Sequence, residues 1–230
     1  RDAGINYTAI GVQVAWMDLD NDGLLDLFIS GSAHSFYRNK GQNKFELVHV
    51  PQLGLLQVES FSFGDLNNDG KLDLYASYSL IFNEASNRRD IVWLNDLVNT
   101  NHFINVRLEG VKSNRSAIGA KISLVAGGMR QTREIYAGQS YGISASLTQH
   151  FGLGNLTKID SLIVRWPDGT TERIESPFPD KTIVIKEATC FGFDPSISVL
   201  PDKSTFCSAS DSITLTAPLT GTYLWSNGSS

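Results

Sequence analysis

Val14-Ala15-Trp16-Met17-Asp18-Leu19-Asp20-Asn21-Asp22-Gly23-Leu24-Leu25-Asp26-Leu27 and Phe61-Ser62-Phe63-Gly64-Asp65-Leu66-Asn67-Asn68-Asp69-Gly70-Lys71-Leu72-Asp73-Leu74 read as two copies of one pattern, with a period of 47 residues from Asp18 to Asp65. In each copy a short apolar strand runs into an acidic turn and out into a second strand. Oxygen-bearing side chains fall at turn positions 1, 3, 5 and 9, with glycine at 6: Asp18, Asp20, Asp22, Gly23 and Asp26, then Asp65, Asn67, Asp69, Gly70 and Asp73. That spacing lets a tight turn wrap one hard cation. Ca²⁺ is the expected ion, in two structural sites, with the position-7 carbonyls of Leu24 and Lys71 and water completing each shell. Zinc would call for His or Cys. A helix-flanked calcium loop needs Glu at position 12, where the chain has Ile29 and Ala76. Asp26 and Asp73 are therefore expected to take that role in a β-hairpin loop. Four carboxylates in the first loop repel one another without a cation. Asn67 leaves the second loop with three, so weaker binding is expected there. The competing reading is a bare Asn/Asp-Gly turn, which needs no ion.

Outward from the loops, Phe36-Tyr37-Arg38-Asn39 and Ile91-Val92-Trp93-Leu94-Asn95 read as equivalent third strands, and Phe45-Glu46-Leu47-Val48 as a fourth. Residues 1–97 thus read as two four-stranded propeller-type blades, part of a larger ring. Residues 98–188 carry period-two runs near 103–109, 118–126, 131–137, 159–166 and 182–186 without the acidic repeat, and read as a small β-sandwich or barrel-like domain. From 189 to 230 charge thins and Ser, Thr and Pro become frequent, as at the start of another module. The fold class is all-β. The 19 basic and 24 acidic residues give a net charge of −5, which argues against nucleic acid or an anionic membrane as partner. No apolar run approaches the ~18 residues of a membrane-spanning helix.

The acidic loops, with Phe63-Gly64 before the second and Tyr37-Arg38-Asn39-Lys40-Gly41-Gln42-Asn43-Lys44-Phe45 closing the first repeat, resemble the FG-GAP or VCBS-type blades of integrin-like β-propellers, a resemblance that implies structural Ca²⁺. Met17 stands where that pattern usually has a small residue. Asn101-His102-Phe103, Ser113-Asn114-Arg115-Ser116-Ala117-Ile118-Gly119-Ala120, Gln131-Thr132-Arg133-Glu134, His150-Phe151-Gly152-Leu153-Gly154 and Val164-Arg165-Trp166-Pro167-Asp168-Gly169 resemble the ASPIC/UnbV domain, which implies an extracellular β domain with no catalytic residues to transfer. The tail, through Thr205-Phe206-Cys207 and Tyr223-Leu224-Trp225-Ser226-Asn227-Gly228, resembles the Ig- or PKD-like modules of secreted Bacteroidetes proteins. That implies a bacterial protein, type IX secretion, and an extracellular or outer-surface location.

Catalytic signals are poor. Gly138-Gln139-Ser140-Tyr141-Gly142 satisfies G-x-S-x-G, but the helix that a nucleophile elbow needs is missing from the pattern. His150 reads as a structural histidine, and His34, His49 and His102 lack metal-ligand spacing. Trp16, Trp93, Trp166 and Trp225 read as core or inter-blade packing, with carbohydrate stacking as the alternative. Arg88, Arg89, Arg107, Arg115, Arg130 and Arg133 read as solvated faces. Cys190 and Cys207 are disulfide candidates, paired with each other or with a cysteine elsewhere. A bridge between them would stabilise by ~3 kcal/mol in the loop-entropy model.

The expected function is a secreted or cell-surface calcium-binding module for adhesion to a glycan or protein partner, and not an enzyme. The alternatives are the non-catalytic portion of an exported enzyme, or an assembly module of a surface or secretion complex.

Overall fold

In a computed structural model the described residues are 3–48, 60–78, 89–139, 143–144, 146–187, 191–192 and 205–206, and all regular structure among them is β. Residues 1–187 form one compact unit and residues 188–230 another. In the first, β1 (Gly11–Met17), β2 (Asp26–Gly31), β3 (Ser35–Asn39) and β4 (Phe45–Val48) make a four-stranded antiparallel sheet in sequential order. The repeat makes a second sheet, with β5 (Ser60–Gly64), β6 (Asp73–Ser77) and β7 (Ile91–Trp93) as its three strands among the described residues. The registers coincide: Leu27 pairs with Tyr37 in the first sheet as Leu74 pairs with Trp93 in the second.

Strand periodicity explains how the sheets meet. Ala15, Met17, Phe28 and Phe36 of the first pack against Phe61, Leu74, Ala76 and Tyr78 of the second, with Phe28 edge-on to Phe61 at 4.6 Å between ring centres. Because β1 turns Ala15 and Met17 inward, Trp16 must face the other way. It is 48% exposed and leans on Phe45 at 5.9 Å, which corrects its expected place in the packing. Trp93 does pack against the inter-sheet core, and Trp166 is buried in the second half.

The rest of this unit holds β8 (His102–Glu109), β9 (Lys121–Ala126), β10 (Met129–Glu134), β11 (Gln149–Gly154), β12 (Ser161–Arg165), β13 (Thr171–Glu175) and β14 (Lys181–Lys186). One sheet has the order β11-β8-β14, with β14 parallel to β8, and the other β10-β9-β12-β13. Ile104, Val106, Phe151 and Leu153 of the first share a buried core with Ile122, Leu124, Leu162, Val164 and Trp166 around the second. The expected strand at 118–126 begins only at Lys121, because Ala117 and Gly119 take left-handed φ values of 54° and 93° in the preceding turn. At the end of β14 the buried Glu187 carboxylate accepts the N–H groups of Val111, Lys112 and Ser113 at 2.6, 2.7 and 2.8 Å. Burial acts to raise its pKa, but these bonds and the Ser113 hydroxyl hold it below the usual carboxylate range. The strand end is thereby tied to the 111–113 loop.

In the unit 188–230, β15 (Phe191–Gly192) pairs antiparallel with β16 (Thr205–Phe206). Cys190, Cys207, Trp225 and the Ig-like reading of this tail lie outside the described residues, as do His49, Arg88, Ser140 and Tyr141.

Candidate metal centre

The two acidic loops share one hydrogen-bond skeleton, set by local sequence. In the first, Asp18 Oδ1 accepts the Asp22 N–H at 3.1 Å and Oδ2 the Gly23 N–H at 2.8 Å. In the second, Asp65 does the same for Asp69 and Gly70 at 3.0 and 2.9 Å. The position-5 carboxylates accept the next-but-one N–H, Asp22 from Leu24 and Asp69 from Lys71. Asn21 and Asn68 at position 4 take left-handed φ values of 61° and 60°, and Gly23 and Gly70 follow at 89° and 82°. Two left-handed residues that close together suit asparagine and glycine, which tolerate φ > 0 best.

Asp26 ties the first loop to the end of β3, and Asp73 ties the second to Asn95, two residues past β7. Asp26 accepts the N–H groups of Leu19 and Asn39 at 3.0 and 2.8 Å, and Asp73 those of Leu66 and Asn95, both at 2.8 Å. Asn39 and Asn95 then donate to the position-8 carbonyls of Leu25 and Leu72. Both oxygens of the position-9 carboxylate thus serve the backbone. The strand-ending asparagines were not singled out from sequence, although their shared place after Arg38 and Leu94 is a readable signal.

Asp18, Asp20 and Asp22 each place a carboxylate oxygen within 4.8 Å of the others. Asp20 is only 8% exposed, and its Oδ1 has no hydrogen-bond partner. Its Oδ2 is held by the Arg38 guanidinium. Burial pushes Asp18 up to about 7, helped by repulsion from Asp22, Asp26 and Asp20 and opposed by the Gly23 N–H. Burial likewise pushes Asp26 up to about 6 and raises Asp22. An all-oxygen donor set, an orphaned buried oxygen and the burial and mutual repulsion that oppose ionisation of Asp18 and Asp22 fit a hard divalent cation. When bound, such an ion would add positive charge to that of Arg38, with Asp18, Asp20 and Asp22 holding it. In the second loop Asn67 Nδ2 donates to Asp69 at 3.2 Å and Lys71 pairs with Asp69 at 3.7 Å. Asn67, Asn68 and Asp69 are exposed. Among the described residues, no group of three ligating acids gathers there.

The loops do not stand free. Gly154 N–H donates to the Asn21 carbonyl at 2.7 Å, and the Asn99 and Asn101 amides donate to the Asp20 carbonyl at 2.9 and 2.8 Å. A methyl group on Gly152 would collide with the Asp18 carboxylate and lie 2.6 Å from Asn21 Cα, so only glycine fits where β11 meets the first loop. His150 is buried, with Nε2 2.7 Å from Asn21 Oδ1 and Nδ1 2.7 Å from Asn105 Oδ1. Burial, then the Arg133 charge, pushes its imidazolium down to about 3. A neutral ring has one N–H for these two oxygens. Arg133 itself is half-buried, stacked 5.0 Å from the Phe151 ring centre, and not on the solvated face expected of it. Its aliphatic stem and flat head suit that packing.

Asp18, Asp65 and Asn68 also line a cleft of about 580 Å³ whose walls include Trp16, Tyr75, Arg133, Glu134, Tyr136 and Gln139.

These features have counterparts in known families. Residues 18–76 match the FG-GAP-like repeat model. Residues 110–190 match the model described as ASPIC and UnbV. The first match spans both acidic loops, β2 to β5 and most of β6, and the second spans β9 to β14. No curated protein matches the chain significantly.

Proposed function

We propose that the acidic loops are structural Ca²⁺ sites in an extracellular or outer-surface β protein that acts as a binding or adhesion module for a glycan or protein partner. The observation that carries the metal reading is the buried Asp20 carboxylate, with an unpartnered Oδ1 beside Asp18 and Asp22. The ion's role is to rigidify, because it would join the unpartnered Asp20 oxygen to the Asp18 and Asp22 carboxylates across one turn. The FG-GAP-like and ASPIC and UnbV matches support the extracellular setting. The cleft supports the binding role: a volume of this size, in which the aromatic faces of Trp16, Tyr75 and Tyr136 stand among many polar side chains, suits a polar ligand such as a sugar.

The test is a thermal melt in Ca²⁺, in Mg²⁺ and in chelator. Native-state binding at a hundredfold excess over Kd should raise the midpoint by roughly 5–10 °C for a chain of this size. An equal midpoint in all three would sink the metal reading. A glycan screen on the calcium-loaded form, with Trp16→Ala and Tyr136→Ala as controls, tests the cleft.

A further inference from the structure

The two loops are joined to each other through side chains that neither loop needs for its own turn. Asn21, between Asp20 and Asp22 of the first loop, donates from Nδ2 to the Gly70 carbonyl of the second at 2.9 Å. Its Oδ1 lies against one side of the His150 ring and Asn105 Oδ1 against the other; the ring's one N–H bonds one of them, and the other is held in contact. Asn105 in turn donates from Nδ2 to Asp65 Oδ2, the position-1 carboxylate of the second loop, at 3.0 Å. Both amide orientations follow from their acceptors, a carbonyl for Asn21 and a carboxylate for Asn105. A methyl on Gly70 would overlap the Phe103 ring, so β8 also sits tight against the second loop.

We propose that the two acidic loops form one coupled binding unit, in which an ion in the first loop organises the second through Asn21, directly at Gly70 and by way of His150 and Asn105 at Asp65. This rests on the calcium reading of the loops. An ion held by Asp20 and Asp22 fixes Asn21, the residue between them. Fixing Asn21 fixes the position-6 carbonyl of the second loop and, through β11 and β8, its position-1 carboxylate. The second ion then meets ligands whose ordering the first has already accomplished, which is positive coupling without any rearrangement of the fold. Coupling between sites is reciprocal, so loss of the second site must weaken the first by the same factor.

The experiment is calcium titration calorimetry on the full chain in four forms: unmodified, Asp69→Asn, Asn21→Gly, and both together. Asp69 is exposed and asparagine keeps its shape. Asn21 has a left-handed φ that glycine adopts freely, so Asn21→Gly keeps the turn and removes the side-chain link, and a calcium-free melt of each variant confirms that it is folded before titration. In the unmodified chain Asp69→Asn should remove the second ion and weaken the first about tenfold. In the Asn21→Gly background it should remove the second ion and leave the first unchanged. If Asp69→Asn leaves the first site unchanged in the unmodified chain, or weakens it equally in both backgrounds, the coupling is overturned while calcium binding stands. If no form binds calcium, both readings fall together.

Discussion

The two acidic loops have the same hydrogen-bond skeleton and very different surroundings. Asp18, Asp20 and Asn21 are buried against β11 and the Asn99 and Asn101 amides, whereas Asn67, Asn68 and Asp69 face solvent. Arg38 pairs with Asp20 in the first repeat, and the equivalent place in the second holds Leu94. The turn geometry is therefore a property of the repeat, while charge density and burial are properties of what each copy packs against. A buried carboxylate cluster gains more from a cation than an exposed one, because low dielectric strengthens both the repulsion relieved and the attraction formed.

The largest expected effect comes from breaking the packing that makes the first loop different. Gly152→Ala places a methyl inside the Asp18 carboxylate, and overpacking of this kind costs about 3 kcal/mol. At this chain length that lowers the midpoint by roughly 6–12 °C in a calcium-free melt. A shift under about 2 °C would show that the first loop does not bear on β11.

Exchange of the position-3 residues comes next. Asp20→Asn should weaken calcium at the first loop roughly tenfold, and Asn67→Asp should strengthen it at the second, because charge count tunes such sites. Calorimetry of both variants reads this directly, and a stronger second site in the unmodified chain would refute the ordering.

Acidification should act through the first loop. Asp18 at about 7 and Asp26 at about 6 lie above the ordinary carboxylate value. Without calcium the folded loop therefore holds protons that the unfolded chain has released between about pH 4 and 7. The contribution of these two groups to stability then falls as pH rises through that window. Calcium competes with the same protons, so the calcium-induced gain in midpoint should be largest near pH 7.5 and shrink steadily towards pH 5. A gain independent of pH would place the ion elsewhere.

The smallest effect belongs to Arg38. Arg38→Gln removes a cation that competes for Asp20 and should tighten calcium at the first loop about threefold, and Leu94→Arg should loosen the second by a similar factor. Unchanged affinities would mean that the guanidinium swings clear when the ion binds.

The all-β class was legible because alternation and Asn/Asp-Gly steps act over a few residues. β11 was not among the expected strands, since the apolar run of Phe151 and Leu153 is interrupted by Gly152 and Gly154, and the reason for Gly152 lies in the first loop more than a hundred residues away. Trp16 and Arg133 were misplaced for a related cause. Periodicity states that a side chain alternates, but not which face finds a partner.

The sequence by itself determined the two turns: the 1, 3, 5, 9 spacing and the Asn and Gly positions that adopt left-handed backbone depend on bonds within the turn itself. Only the tertiary structure decided which loop would be buried, which carboxylate would be left with an orphaned oxygen, and that His150 and Asn105 would stand between the loops. Those outcomes depend on contacts between β8, β11 and the loops, distant along the chain and close only after the sheets have packed.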